Sequence, residues 1–361
     1  MEKVKVGLIG CGVVAFEHYL PWIARMPKAD FVAVCDQVEE RARSAAARHK
    51  VPQWYTDLDE MLAKSGVELV VNTTHIQQHD RVNLAVLRAG KHLYSEKPLA
   101  TSVEGATAMI EEAKARSLKL GAAAATMLSP VNRRIAELLR SGAIGKPCFT
   151  VARHSHSGVE RILDFEWYTD PSWFYKKGAG PILDMGVYGL HTMTGLYGPA
   201  RAVTAVAGRS LPQRIVRTGP YKGKVIDVEV PDMVLITLDF GDSVLGFLDC
   251  GWCVRAAKGP SMQIFGTDGV IAVNERGSAH PLSIWRDDER HGLYGWMDID
   301  LPGRPQWGLP MGVEHLIECI LDPRLPIITT GEHARHVIEI MTKAPLAAEQ
   351  GRTIPLETTF P

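Results

Sequence analysis

The chain has 361 residues, 46% of them hydrophobic, and a single core seldom grows past about 250–300 residues, so two domains are expected. Its 40 Lys+Arg balance 41 Asp+Glu for a formal net charge of -1, with no long run of like charge, which argues against nucleic acid or an anionic membrane as the main partner. No apolar stretch is long enough to span a membrane, and MEKVKVGLIG begins a strand with no room for a signal peptide, so a cytoplasmic protein is expected.

The first 125 residues alternate strand and helix. VKVGLIG at 4–10 is a continuous apolar run suited to a buried parallel strand, and a helix is expected over 13–26. DFVAVCD at 30–36 is the second strand and VEERARSAAARHK at 38–50 a helix. Asp57 reads as the N-cap of DLDEMLAKSG, which Gly66 ends. ELVVNTT at 68–74 leads to a helix through 89 stopped by Gly90. KHLYSE at 91–96 is a strand, Ser102 caps the helix VEGATAMIEEAKARS, and KLGAAAATM at 119–127 is a further strand. Such alternation implies parallel strands joined by right-handed crossovers.

The first strand ends in GCGVVA, a GxGxxA string running from Gly10 through Gly12, Val13 and Val14 to Ala15. It follows a buried strand and opens a helix, the context that a dinucleotide fingerprint requires. Gly10 permits the tight turn, Gly12 the approach of a pyrophosphate, and Ala15 close helix packing. Asp36 ends the second strand, where an acid binds the adenine ribose hydroxyls and repels a 2′-phosphate. Gln37 adds no positive charge, so NAD is favoured over NADP, with Arg41 and Arg43 the nearest cations. YSEKPLA at 94–100 places Lys97 at a strand's C-terminal end, the edge where such sheets bind ligands. Pro98 disfavours helix at Lys97. An ammonium there lowers the pKa of a neighbouring hydroxyl and steadies an oxyanion as hydride leaves carbon; the alternative is a solvated lysine paired with Glu96.

From 126 onward the chain reads as an α+β domain. A helix at 130–141 ends at Gly142, and apolar or alternating stretches follow at 148–154, 201–208, 232–240, 243–253 and 261–274. These form one open, largely antiparallel sheet with one helix-covered face and one face in need of cover, which points to a homodimer or homotetramer. Helices at 311–321 and 331–348 close the chain. The fold class is therefore α/β, a doubly wound Rossmann domain at 1–125 followed by an α+β substrate-binding and oligomerisation domain at 126–361. Cys250 and Cys253 form the one CxxC of six cysteines, with no second pair to complete a zinc site; reduced thiols and no metal are expected. In the string Asp184-Met-Gly186-Val-Tyr188-Gly-Leu-His191 a helix would bring Asp184, Tyr188 and His191 to one face.

GCGVVA, NTTHIQQH at 72–79, AGKHLYSEKPLA at 89–100 and the glycine turn ahead of DMGVYGLH together resemble the Gfo/Idh/MocA family. That family carries GxGxxA, TPxxxH, AGKHVxxEKPLA and DxGxH strings in this order; His75 stands where it usually has proline. The resemblance places Thr73, Thr74, His79 and Glu96 beside the cofactor and makes Lys97 the motif lysine. It makes Asp184 and Tyr188 catalytic, with Tyr188 as the acid/base where inositol dehydrogenases have histidine and glucose–fructose oxidoreductase has tyrosine. A free phenol titrates near ~10, and a nearby ammonium favours phenolate, which gives Lys97 a purpose. His191 is expected to shape the substrate pocket. His154 and His156, the HSH after an apolar run, would share one face of a strand and reach a sugar; no acid cluster supports a metal there. Trp167, Tyr168, Trp173, Phe174 and Tyr175 suit packing better than sugar stacking, and Lys176 with Lys177 a solvated pair. The activity implied is NAD-dependent hydride transfer at a secondary alcohol or ketone of a sugar, glycoside or cyclic polyol. A recycling sugar oxidoreductase with tightly held NAD(P), or a non-catalytic NAD(H)-binding regulator, are the alternatives.

Overall fold

The computed structural model describes residues 2–162, 170–274, 278–289, 292–301 and 308–361. Trp167 and Tyr168 lie outside the described residues. The chain forms two compact units, Met1–Leu128 with Trp307–Ile338, and Ser129–Gln306 with Glu339–Pro361. The late helix Met311–Leu321 therefore belongs with the first strands, and a single cut at 125/126 does not contain that return.

The first unit is built on six strands, β1 (Val4–Ile9), β2 (Ala29–Cys35), β3 (Gln53–Tyr55), β4 (Leu69–Asn72), β5 (His92–Ser95) and β6 (Leu120–Ala122). They pair in the order β3-β2-β1-β4-β5-β6, all parallel. The strand order reverses between β1 and β4, so the crevice for a ligand opens beyond their C-terminal ends. β4 is buried throughout and β1 at all but Lys5, as strands covered on both faces must be. Asp57 and Ser102 cap their helices, each accepting a backbone N–H three residues on, from Glu60 at 2.8 Å and Gly105 at 3.0 Å. The expected helix over 13–26 is a π-turn, Ala15–Tyr19, running into Leu20–Ile23. Pro21 has no N–H to return to the Glu17 carbonyl, so the regular ladder breaks there. The stretch 119–127 yields only the short β6, and β3, Gln53–Tyr55, is three residues long, too short to show a strand period in the sequence.

The second unit holds a sheet of nine strands among the described residues. They are β7 (Pro147–Ser155), β8 (Ala202–Gly208), and then, past a small hairpin of β9 (Gln213–Ile215) and β10 (Val225–Asp227), β11 (Met233–Gly241), β12 (Val244–Gly251), β13 (Met262–Gly266), β14 (Gly269–Val273), β15 (Leu282–Asp288), β16 (Leu293–Ile299) and β17 (Ile354–Pro355). The sheet order is β16-β15-β14-β13-β7-β12-β11-β8-β17, antiparallel except for β7 with β12. The stretch 261–274 is a hairpin, turning at Thr267 and Asp268, rather than one strand. One face is covered by the helix Val187–Tyr197, which lays Gly186, Gly189 and Met193 against Cys250, Leu248 and Gly246. The small residues bring the helix close to the sheet. The opposite face exposes Phe149, Val151, Leu235 and Leu245, with Phe149 stacked on Phe265 at 4.5 Å. All six cysteines are free thiols, and no helix among the described residues is long and apolar enough to cross a membrane.

Candidate active site

In the first unit the fingerprint turn is fixed from two sides. Gly10 sits at φ +92, and a Cβ there would lie 2.7 Å from the Thr74 nitrogen and 2.8 Å from the Thr73 carbonyl carbon. Only glycine fits. The Thr73 hydroxyl donates to the Gly10 carbonyl at 2.7 Å, so the loop after β4 is fastened to the loop after β1. A Cβ on Gly12 would meet nothing within 4 Å, which leaves that side of the turn open to a pyrophosphate. Ala15 is fully buried, while Val13 is half-buried and Val14 is exposed. Asp36 accepts the Cys11 N–H and the Val38 N–H, each at 2.8 Å, which pins its carboxylate at the end of β2 beside the turn. Arg43 pairs with Glu39 at 3.6 Å, and the charge of Arg41 is felt at the Cys11 thiol. The cradle, the open side and the placed acid all fit NAD.

The loop after β5 is held as firmly. Glu96 is buried at 7% exposure. Its carboxylate accepts the Tyr19 hydroxyl at 2.6 Å and the Lys97 N–H at 2.9 Å. Tyr19, fully buried on the π-turn that follows the fingerprint, thus ties the backbone of Lys97 to the cofactor helix. In the sequence Tyr19 has no signal beyond that of a core aromatic. His79 is buried at 1%, its Nδ1 2.6 Å from the Pro98 carbonyl and its Nε2 3.0 Å from the Thr74 carbonyl. Burial pushes its imidazole below the ordinary value while both carbonyls pull the other way. The ring lies between the two loops at the C-terminal edge of the sheet and, when neutral, donates to one of the two carbonyls. Thr74 is steadied by Asn72, whose side-chain oxygen accepts its N–H at 2.9 Å and its hydroxyl at 2.7 Å. Lys97 itself is half-buried.

In the second unit the string around Asp184 is helical, with a π-turn over Ile182–Gly186 running into the helix Val187–Tyr197. Asp184, Tyr188 and His191 lie outside the stripe that meets the sheet; Tyr188 is half-buried and His191 buried at 4%. One Asp184 oxygen, Oδ2, accepts the Trp252 indole N–H at 3.0 Å and a hydrogen bond from His156 Nε2 at 3.1 Å. His156 Nδ1 accepts the Gly158 N–H at 3.0 Å, so the proton of the neutral ring sits on Nε2 and points at Asp184. His154 and His156 do not share a strand face. β7 ends at Ser155, His156 lies beyond it, and His154 faces the helix at Gly189, where burial pushes its imidazole down to about 4.

Trp252 is fully buried, with Tyr175 edge-on at 4.8 Å and Phe174 at 6.5 Å. Those aromatics pack in a cluster with Val159, Val216 and Ile226. Lys176 pairs with Glu229 at 2.9 Å. Burial pushes the Cys250 thiol up to about 12, and its Sγ faces the Val234 carbonyl, so it is an inert core thiol. Trp252 and the acids behind it carry no sequence motif. Trp252 lies 68 residues from Asp184, too far for any spacing rule.

Residues 4–123 match the model of an oxidoreductase family with an NAD-binding Rossmann fold, and residues 132–272 match the C-terminal domain of the same Gfo/Idh/MocA group. The chain belongs to the Gfo/Idh/MocA family. As a Gfo/Idh/MocA member it is an NAD-binding oxidoreductase of the dehydrogenase type. It is similar to a D-xylose dehydrogenase of Paenarthrobacter nicotinovorans, 26% identical over 69% of this chain and 66% of that protein. It is also similar to the scyllo-inositol 2-dehydrogenase (NAD(+)) of Bacillus subtilis, 22% identical over 91% of this chain and 89% of the relative. Among solved structures, the aldose–aldose oxidoreductase of Caulobacter crescentus, crystallised with glycerol, shares the fold with TM-score 0.80 at 22% identity, covering 98% of this chain and 100% of that one.

Proposed function

We propose that this protein transfers hydride between the nicotinamide of NAD and a secondary alcohol or ketone of a sugar, glycoside or cyclic polyol. The observation that carries the reading is Asp184. Its carboxylate is held by two N–H donors on the same helical segment as the half-buried Tyr188. Bound nicotinamide supplies the hydride acceptor or donor. The chain's own work is with the proton and the substrate's oxygen. Tyr188 takes the hydroxyl proton on oxidation and returns it on reduction. Lys97 supplies an ammonium that stabilises charge on that oxygen. Asp184 and His191 orient the substrate, and His156 orients Asp184. His154 is turned to the sheet-facing side of the helix at Gly189, away from Tyr188 and His191, and is left out of the proton and substrate roles.

Asp36, followed in sequence by the uncharged Gln37, favours NAD over NADP, since it would repel a 2′-phosphate. The exposed apolar face of the nine-stranded sheet, with Phe149, Val151, Leu235 and Leu245, favours a homodimer or homotetramer built on that face. Six free thiols suit a reducing, cytoplasmic compartment.

The test is anaerobic addition of free sugars, glycosides and inositols to protein with NAD, read at the NADH absorbance. Reduction of NAD in solution supports the dehydrogenase. The similarity to an aldose–aldose oxidoreductase gives weight to a second reading, in which NAD stays bound and is recycled by a second sugar. Reduction confined to protein-bound cofactor would favour that reading, and no reduction with any compound would favour an NAD(H)-binding regulator.

A further inference from the structure

We propose that Arg214 is a positioning residue for the reaction, holding in place the two N–H donors that rest on Asp184. The inference depends on the reading of Asp184 as a group that touches substrate.

Arg214 is closed off from solvent between two acids. Its side chain is 1% exposed, that of Glu160 2% and that of Asp232 0%. One guanidinium nitrogen donates to Glu160 at 3.1 Å and to the Trp252 carbonyl at 3.0 Å; the other donates to Asp232 at 3.0 Å. Asp232 also accepts the N–H groups of Ser210 at 2.7 Å and Leu211 at 3.1 Å. The Tyr175 hydroxyl donates to Glu160 while its ring lies against Trp252. Burying three charges costs desolvation that their attraction rarely exceeds, so stability alone is a poor account of the cluster.

The cluster converges on one residue. Trp252 is held at its carbonyl by Arg214, at its N–H by the Asp232 carbonyl at 2.8 Å, and at its ring by Tyr175. Its indole N–H is the one that meets Asp184. The other donor hangs from the same segment: the His156 N–H donates to the Gly251 carbonyl at 3.0 Å, and the Val254 N–H donates to the His156 carbonyl at 3.1 Å. A shift of residues 251–254 would move both donors on Asp184 together. The planar guanidinium serves the two carboxylates from two different nitrogens, a fixed fork that the single nitrogen of an ammonium does not reproduce.

Among the described residues, the titratable groups placed at the Asp184 turn include His156, just beyond β7, and the Cys250 thiol of β12, with Tyr188 and His191 on its own helix. Asp249 points to the opposite face and pairs with Arg153 at 2.8 Å. Removing an N–H donor from a carboxylate raises its proton affinity.

The experiment compares Arg214→Lys, Trp252→Phe and Asp184→Asn in the holoenzyme, with turnover measured from pH 5 to 9, NADH affinity by fluorescence and thermal unfolding. Trp252→Phe removes the indole N–H together with part of the ring that packs on Tyr175, but keeps Arg214, Glu160 and Asp232 themselves, so it stands as the check if Arg214→Lys folds poorly, with its cavity read in thermal unfolding. Both variants should keep NADH affinity, lower kcat about tenfold, and move the acid limb of the kcat profile up by about one pH unit. Unmoved limbs in both variants, with kcat lost only in proportion to thermal stability, would mean that the cluster is structural and would overturn the proposal. In that case an inactive Asp184→Asn leaves the reading of the site standing. Native turnover by Asp184→Asn would overturn both.

Discussion

Gly10 and Gly12 stand two residues apart in the fingerprint, yet the structure assigns them separable jobs, and substitution by alanine should pull those jobs apart. An alanine at position 10 must hold φ near +92, a left-handed conformation that costs a non-glycine residue about 1–2 kcal/mol. Its Cβ would also press to 2.7 Å of the Thr74 nitrogen, and backbone atoms there cannot swing aside as a flexible side chain can. Overpacking of that kind adds about 1–3 kcal/mol. Gly10→Ala should therefore lose about 2–5 kcal/mol in chemical denaturation, and NADH affinity with it, because Thr73 is fastened to the same turn. An alanine at position 12 meets nothing within 4 Å, so Gly12→Ala should unfold like the wild type. It should nevertheless bind NADH at least tenfold more weakly, because we propose that the pyrophosphate approaches on the open side of the turn. Isothermal titration with NADH alongside denaturation gives both numbers for each variant. Native NADH affinity in Gly12→Ala would refute the placement of the cofactor on that side of the turn. Native stability in Gly10→Ala would refute the clash with the β4 loop.

Glu339 is buried at 2%, and although burial alone would raise its carboxyl, hydrogen bonds from Lys343, the Thr358 hydroxyl and the Thr358 and Glu357 N–H groups hold it at about 2 against an ordinary 4.5. A folded-state value depressed in this way adds stability above pH 4.5, on the order of 3 kcal/mol, which is lost as pH falls from there towards 2. Glu339→Gln should thus unfold more easily at pH 7 and show a flatter stability curve between pH 5 and 2 by circular dichroism; a curve parallel to the wild type would sink the assignment. NAD should exceed NADP at least tenfold in kcat/KM, about 1.4 kcal/mol, and Asp36→Ala should narrow that gap. Equal use of both cofactors by the wild type would remove Asp36 as the discriminator. Lys97→Ala should lower turnover about a hundredfold with NADH binding little changed. Near-native turnover would make Lys97 an ordinary strand-end lysine.

The Rossmann half was legible because strands such as β1 and β4 are near-continuous apolar runs and the helices Leu58–Lys64 and Val103–Ala115 begin at capping residues, Asp57 and Ser102. β3 escaped notice because Gln53–Tyr55 is only three residues long, and its pairing with β2 is a matter of tertiary contact. The break at Pro21 is present in the sequence, but the helix over 13–26 was expected from its place after the first strand without regard to that proline. In the second sheet β15 and β16 were not read, since strings such as SIWRDD alternate weakly. The motif residues Lys97, Asp184 and Tyr188 could be picked out because they sit in short strings. What fixes them could not. Tyr19 reaches Glu96 across 77 positions, Arg214 reaches Glu160 across 54, and Trp252 reaches Asp184 across 68. Partners this distant carry no spacing signal, and only the folded backbone brings them together. His156 shows the same limit from the other side. The HSH string suggested two histidines on one strand face, but the strand stops at Ser155 and the second ring turns to Asp184.

The account stands most directly on Tyr188 as the group that handles the substrate's proton. A phenyl ring fills nearly the same space and cannot give or take a proton, so Tyr188→Phe should keep the fold and NADH affinity while losing about two to four powers of ten in turnover on the sugar or polyol identified by the panel. Tyr188→His should restore part of that activity with the pH–rate profile moved to lower pH, because an imidazole titrates near ~6.5. Both are measured as kcat across pH with Lys97 retained. Turnover in Tyr188→Phe equal to that of the wild type would contradict the account, and the proton would have to pass through another group.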